Sequence, residues 1–176
     1  MKILVVGAGA VGGYYGARLA EAGRDVTFLV RPARAAQLQR DGLRILSLHG
    51  DLTLKPQTIT SSEITSPYDF IFLSVKAQAL DQAIKDMTPA VGPETMIYPV
   101  LNGMRHMHTL AHSFSEQAIL GGVCIVSTDL DEQGRDVLRD ALAKRDAKVA
   151  PIETYRRLAH RLVAEGSPFE IGRAHV

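Results

Sequence analysis

MKILVVGAGAVGGYYGARLAEAGRDVTFLVR, residues 1–31, decides how the rest of the chain is read. Its apolar run, residues 3–6, is too short for a helix and rich in β-branched side chains, so it predicts a buried strand. Gly7-Ala8-Gly9-Ala10-Val11-Gly12 follows, a complete G-x-G-x-x-G. Tyr15, Leu19 and Ala22 keep helical spacing until Gly23, and residues 26–30 form a second apolar strand. Strand, glycine turn, helix and strand, in that order, give this glycine pattern its physical meaning.

Each glycine has its own task. Gly7 permits the tight turn out of the strand, Gly9 has no Cβ to hold off a pyrophosphate, and Gly12 lets the helix pack close to the sheet. The unpaired N–H groups of the first helical turn, at the positive end of the helix dipole, then face phosphates. A dinucleotide is the implied ligand, against the alternative of a glycine turn that binds nothing.

Beyond this unit, Arg31-Pro32 opens a short helix to about Arg40, with Pro32 tolerated in its first turn. Asp41-Gly42 turns the chain, and residues 43–48 and 51–54, joined at His49-Gly50, read as a hairpin. Residues 70–75 form a buried strand that ends at Lys76, and a helix follows over 78–87, broken by Pro89 and Gly92-Pro93. Residues 96–101 make a strand interrupted by Pro99. Asn102-Gly103 turns into a helix over 104–112, and 118–126 is one more strand. This alternation predicts an α/β fold, a mainly parallel sheet with helices on both faces, over residues 1–134. From Gln133 the character changes: residues 135–148 and 152–165 are charged and helix-compatible, split by Pro151, with no strand signal. Residues 135–169 are therefore expected to be a helical segment, either a cap on the sheet or the start of a second domain.

Composition narrows the function classes. A chain of 176 residues accommodates one domain with a small appendage and a substantial core. With 46% hydrophobic and 22% charged residues it is an ordinary globular sequence, and a net charge of +1 gives no footing for nucleic acid or an acidic membrane surface. The lone cysteine, Cys124, excludes an internal disulfide, fits a reducing compartment and lies in an apolar run, which predicts a buried inert thiol. Lys2 followed by apolar residues imitates the start of a signal peptide. Gly7 breaks that run, and Arg18 and Glu21 soon follow, so a cytoplasmic location is expected.

Ligands of open α/β sheets bind beyond the carboxyl ends of the strands. In chain order those ends deliver the glycine turn, Arg31, Ser74 with Lys76, and Asn102, all expected on one rim. Arg31 discriminates between cofactors. An acid near this position would accept hydrogen bonds from a ribose 2′-hydroxyl, whereas an arginine suits the 2′-phosphate of NADP. No acid occupies residues 27–32, and Arg34 stands one helical turn on to assist; a solubilising surface arginine is the plain alternative. Lys76 offers a positive charge and Asn102 both donor and acceptor, making them candidates for contacting nicotinamide, ribose or substrate. Singly, each would pass as a strand-end surface residue. His106, His108 and His112 lack a neighbouring acid or cysteine at ligand spacing, so no metal is expected. No G-x-S-x-G is present to support a serine hydrolase.

GAGAVGG at 7–13, Arg31, SVKA at 74–77, LNGM at 101–104 and ILGGVCIVST at 119–128 together resemble ketopantoate reductase, 2-dehydropantoate 2-reductase, over about residues 1–134. The resemblance implies a Rossmann-type doubly wound domain and NADPH-dependent reduction of 2-dehydropantoate to pantoate, on the way to pantothenate and coenzyme A. It implies that Gly7, Ala8, Gly9, Ala10, Val11 and Gly12 bind the pyrophosphate and that Arg31 binds the 2′-phosphate, with Ser74 on the same rim. Lys76 would lie beside the nicotinamide ribose, and Asn102 would touch both cofactor and substrate, making these two the expected catalytic residues. The backbone near Thr128 would also meet the cofactor. Another small 2-oxo acid as substrate, or a non-catalytic NADP-binding sensor domain, would share these motifs.

The sequence departs from the family pattern towards its end. The family has a second, helical domain carrying a lysine proton donor, and this chain is expected to be the amino-terminal part of a longer polypeptide. It is expected to bind NADPH better than NADH without efficient turnover. Residues 135–151 read as lacking the hairpin that the family places after its last strand. Tyr155-Arg156-Arg157-Leu158 stands where a lysine would be expected, and arginine is a poor general acid. Residues 170–176, EIGRAHV, are what GAG ATC GGA AGA GCA CAC GTC encodes, which contains the start of a common sequencing adaptor. That tail is expected to be non-native.

Overall fold

The structure, a computed structural model, describes residues 1–47, 50–122, 124, 128–130 and 136–138. The opening unit folds as its pattern requires: β1 (Lys2–Val6), α1 (Ala10–Glu21) and β2 (Asp25–Leu29). Then come α2 (Pro32–Asp41), the antiparallel pair β3 (Leu43–Leu46) and β4 (Leu52–Leu54), and β5 (Gln57–Ile59). β6 (Phe70–Leu73), α3 (Leu80–Met87), β7 (Met96–Pro99) and α4 (Arg105–Ser113) complete the central layers. Two short strands, β8 (Thr128–Leu130) and β9 (Asp136–Leu138), end the described chain.

The central sheet has the order β5-β2-β1-β6-β7, with every pairing parallel. Because successive side chains of a strand point to opposite faces, the apolar run of β1 feeds two cores at once. Ile3 and Val5 join Ala17, Phe28 and Phe72 on one face, while Leu4 and Val6 join Ile71, Leu73 and Ile97 on the other. The second face is closed by α3 and α4. Leu80, Ala83 and Met87 line one stripe of α3 at helical spacing, and Leu110 of α4 meets them. The first face is closed by α1, where a Cβ on Gly16 would stand 2.5 Å from the Phe28 ring. On its far side α1 contacts a smaller sheet of order β4-β3-β9-β8, so it lies between two sheets.

Three departures from the sequence reading have physical causes. β5 is absent from that reading because Gln57–Ile59 carries no apolar run. It exists through its ladder with β2, extended by a hydrogen bond from Val30 N to Ile59 O at 3.1 Å. The strand expected over 118–126 is a single bridge in its described part, Ile97 with Ile119. Ile97 N donates to Ala118 O and Leu120 N to Ile97 O before Gly121 and Gly122 leave the ladder. Gly122 then lies against the Tyr98 ring, which fills the place a side chain would need.

The third departure concerns residues 135–169, expected to be helical. Asp136–Leu138 is instead strand β9, parallel to β3 and antiparallel to β8. A β-hairpin pairing therefore follows the last bridge, where none was expected. Three residues are too few to show a period, and only pairing with the neighbouring β3 and β8 specifies the strand. Residues 139–176, including the expected helix 152–165 and the tail 170–176, lie outside the described residues. Among the described residues no helix is long and apolar enough to cross a membrane.

Candidate functional site: a nucleotide rim

The chain leaves β1 through α1 towards β2, and leaves β6 through α3 in the opposite direction to β7. Between the carboxyl ends of β1 and β6 it therefore opens a crevice, the place where α/β sheets take ligands. Gly7 enters that crevice with φ +99°, a conformation side chains rarely allow. Gly9 is the N-cap of α1, with extended backbone, no side-chain cap and no acid in the first turn, so no capping side chain occupies the helix's leading N–H groups. A Cβ on Gly9 would meet nothing within 4 Å. One on Gly12 would collide with the Gly7 carbonyl and the Ser74 hydroxyl. The three glycines thus serve turn, open surface and close packing, in that order.

Ser74 stands at the rim, but its hydroxyl faces inward. It is placed to donate to Gly7 O at 2.9 Å and Val6 O at 3.1 Å, while its backbone N donates to Val6 O at 3.0 Å. It fastens the glycine turn to the end of β6. Arg34 acts on the same turn from α2: Nη2 donates to Ala8 O at 3.0 Å and Nη1 to Gln37 Oε1 at 2.9 Å. Ala8 is buried, Ala10 and Val11 half-buried.

Arg31 caps α2 at the carboxyl end of β2 and is exposed, with no ion pair among the described residues. Lys76 is exposed where β6 gives way to the 3-10 turn Ala77–Ala79, and its carbonyl accepts from Ala79 N at 2.8 Å. Asn102 is exposed beyond β7, before Gly103 at φ +78°. Val100 N donates to Leu73 O at 2.9 Å, which keeps the exits of β6 and β7 adjacent. The glycine turn, Arg31, Ser74, Lys76 and Asn102 therefore follow carboxyl ends of four strands of one sheet. Thr128 is different: it opens β8, an edge strand of the smaller sheet.

The remaining chemistry-bearing residues are less connected. His106 is buried on α4, and burial lowers its pKa from the ordinary value; His108 and His112 are exposed. Among the described residues no group of three or more His, Cys, Asp or Glu is arranged to hold a metal. Cys124 is half-buried, and its burial raises the thiol pKa against the opposing effect of a Tyr15 hydrogen bond. The close packing at Gly16 and the inward hydrogen bonds of Ser74 and Arg34 were missed by the sequence reading. Gly16 had a readable signal, its four-residue spacing from Gly12 along one helix face. The two hydrogen bonds span 67 and 26 residues and had none.

A parallel sheet of this order, a glycine turn leading into an uncapped helix and a crevice at the topological switch define a Rossmann-type fold. Residues 3–151 match the family described as ketopantoate reductase PanE/ApbA, and the chain belongs to that family. It is 47% identical over 134 residues to the uncharacterized oxidoreductase YkpB of Bacillus subtilis (strain 168), a match covering 76% of this chain and 44% of that protein. The 2-dehydropantoate 2-reductase of Geobacter metallireducens GS-15 has a similar structure, with a TM-score of 0.71 and 33% identity over 78% of this chain and 46% of that one. D-mandelate dehydrogenase, solved with NADH and anilino(oxo)acetate, matches with a TM-score of 0.72 and 25% identity over 79% of this chain and 46% of that one. The chain spans less than half the length of each of these three proteins.

Proposed function

We propose that this chain is the NADP-binding part of a reductase that converts 2-dehydropantoate to pantoate. The observation that carries the reading is Arg31, an exposed guanidinium at the end of β2 with no acid at residues 27–32 and no ion pair among the described residues. A guanidinium fork matches a phosphate bidentately, and a ribose 2′-hydroxyl would call for a carboxylate there. The cradle fits the rest of the cofactor, since the face of Gly9 is open and the leading N–H groups of α1 have no side-chain cap. Gly7, Ala8, Gly9, Ala10, Val11 and Gly12 would hold the diphosphate, and NADPH would supply the hydride.

Lys76 and Asn102, at adjoining strand ends, are assigned to the far end of the crevice. The lysine offers a charge to an anionic 2-oxo acid, and the asparagine both donates and accepts. Neither is assigned as the proton donor for the developing alkoxide. Residues 1–134 would form the cofactor domain, with the backbone at Thr128 reaching the cofactor from the smaller sheet.

The test compares NADPH and NADH affinity by fluorescence titration of the protein and its Arg31→Ala variant. The wild type is expected to favour NADPH. Loss of a charged hydrogen-bond partner should erase about tenfold of that preference. An unchanged affinity ratio would overturn the assignment. A second reading, reduction of a different small 2-oxo acid, is favoured by the equal structural likeness to D-mandelate dehydrogenase. Steady-state assays of the complete gene product across several 2-oxo acids separate the two.

A further inference from the structure

The arginines at and on α2 are used in three different ways. Arg40 pairs with its neighbour Asp41 in solvent, Arg31 stands exposed, and Arg34 is half-buried and reaches back to the glycine turn. That reach completes a pattern in the turn. Gly7 O is placed to accept from the Ser74 hydroxyl at 2.9 Å, Ala8 O accepts from Arg34 Nη2 at 3.0 Å, and Gly9 O accepts from Gly13 N at 2.6 Å. All three carbonyls are engaged within the fold. A carbonyl turned towards a diphosphate would set its negative end against an anion; engaged inward, it leaves the neighbouring N–H groups to face the ligand.

We propose that Arg34 is a positioning residue for the diphosphate. It anchors the Ala8 carbonyl so that the turn presents donors, and it does not read the 2′-phosphate. Its second arm supports this division of labour, because Nη1 is held by Gln37 Oε1 at 2.9 Å, one turn further along α2. Arg34 thereby ties the phosphate turn to the helix whose first residue follows Arg31. The proposal rests on the nucleotide-binding reading above.

Calorimetric titration with NADP+, NAD+ and 2′-AMP separates the possibilities, since 2′-AMP has the 2′-phosphate and lacks the diphosphate. Arg34→Gln is expected to weaken NADP+ and NAD+ alike, by about tenfold, and to leave 2′-AMP unchanged. Gln37→Ala, which releases one arm of Arg34 without touching the turn, is expected to give the same pattern with a smaller loss, and it decides the matter if Arg34→Gln does not fold. Equal binding of both dinucleotides by the wild type and the variants would overturn the role of Arg34. So would a loss confined to NADP+ and 2′-AMP, which would make Arg34 a 2′-phosphate ligand. A folded wild type that binds none of the three would overturn the nucleotide reading itself.

Discussion

Gly9 and Gly12 occupy one motif, yet a methyl group would act on them in opposite ways. At Gly12 it would enter space held by the Gly7 carbonyl and the Ser74 hydroxyl, both fixed by β1 and β6. Overpacking of this kind costs about 1–3 kcal/mol or more. Gly12→Ala is therefore expected to lower the urea midpoint with or without cofactor. At Gly9 the backbone has φ −89°, and a Cβ would meet nothing within 4 Å. Gly9→Ala should keep the wild-type urea midpoint while weakening NADPH titration, because its methyl lies on the face assigned to the diphosphate. A Gly9→Ala protein as unstable as Gly12→Ala would show that the turn is more crowded than these contacts describe. The sequence motif named both glycines, and the close packing it assigned to Gly12 is what the structure shows. It could not say that Ser74, 62 positions along the numbering, is one of the walls that makes Gly12 obligatory.

Helices and strands differ in how much of their position is local. In α3 the spacing of Leu80, Ala83 and Met87 declares the buried stripe. In α4 the same logic buries His106 with Leu110, four residues apart, and so removes an imidazole from water. Burial lowers the His106 pKa below its ordinary value near 6.5, which favours the neutral ring in the folded state. The unfolded chain then binds more protons as pH falls below about 6.5, so this group's contribution to stability is present above that pH. It is lost progressively as pH drops towards the depressed folded pKa. Urea unfolding between neutral and mildly acid pH should accordingly show a shallower pH slope for His106→Gln than for the wild type. Equal slopes would mean that the buried ring charges as readily as an exposed one. β5 and β9 stand at the other extreme: each is three residues long and exists only through its pairing, β5 with β2 and β9 with β3 and β8.

Across the whole molecule, β1 and β6 have ladders on both sides, whereas β5 closes one edge of the sheet. At the other edge β7 gains, among the described residues, the single Ile97–Ile119 bridge. The two cores meet back to back through β1 and β6, with Ile71 and Leu73 on one side and Phe72 on the other. Opening these strands means exposing both cores, so their amides are expected to exchange only with global unfolding. Hydrogen exchange followed by mass spectrometry should find β1 and β6 slowest and the β5 peptide measurably faster. Comparable exchange in all three would show that the edge opens only with the whole domain.

By itself the sequence determined the parallel α/β layout, the glycine turn and the rim of Arg31, Ser74, Lys76 and Asn102. Those features follow from local periodicity and from the rule that strand ends gather at one edge of a sheet. Tertiary structure alone decided that residues 136–138 pair as a strand, that 118–122 make a single bridge, and that the Ser74 hydroxyl and the Arg34 guanidinium donate to carbonyls at the glycine turn. The physical reason is range. A backbone carbonyl leaves no mark in the sequence to say which distant side chain will satisfy it, and that choice is made only when the strands have brought the two together.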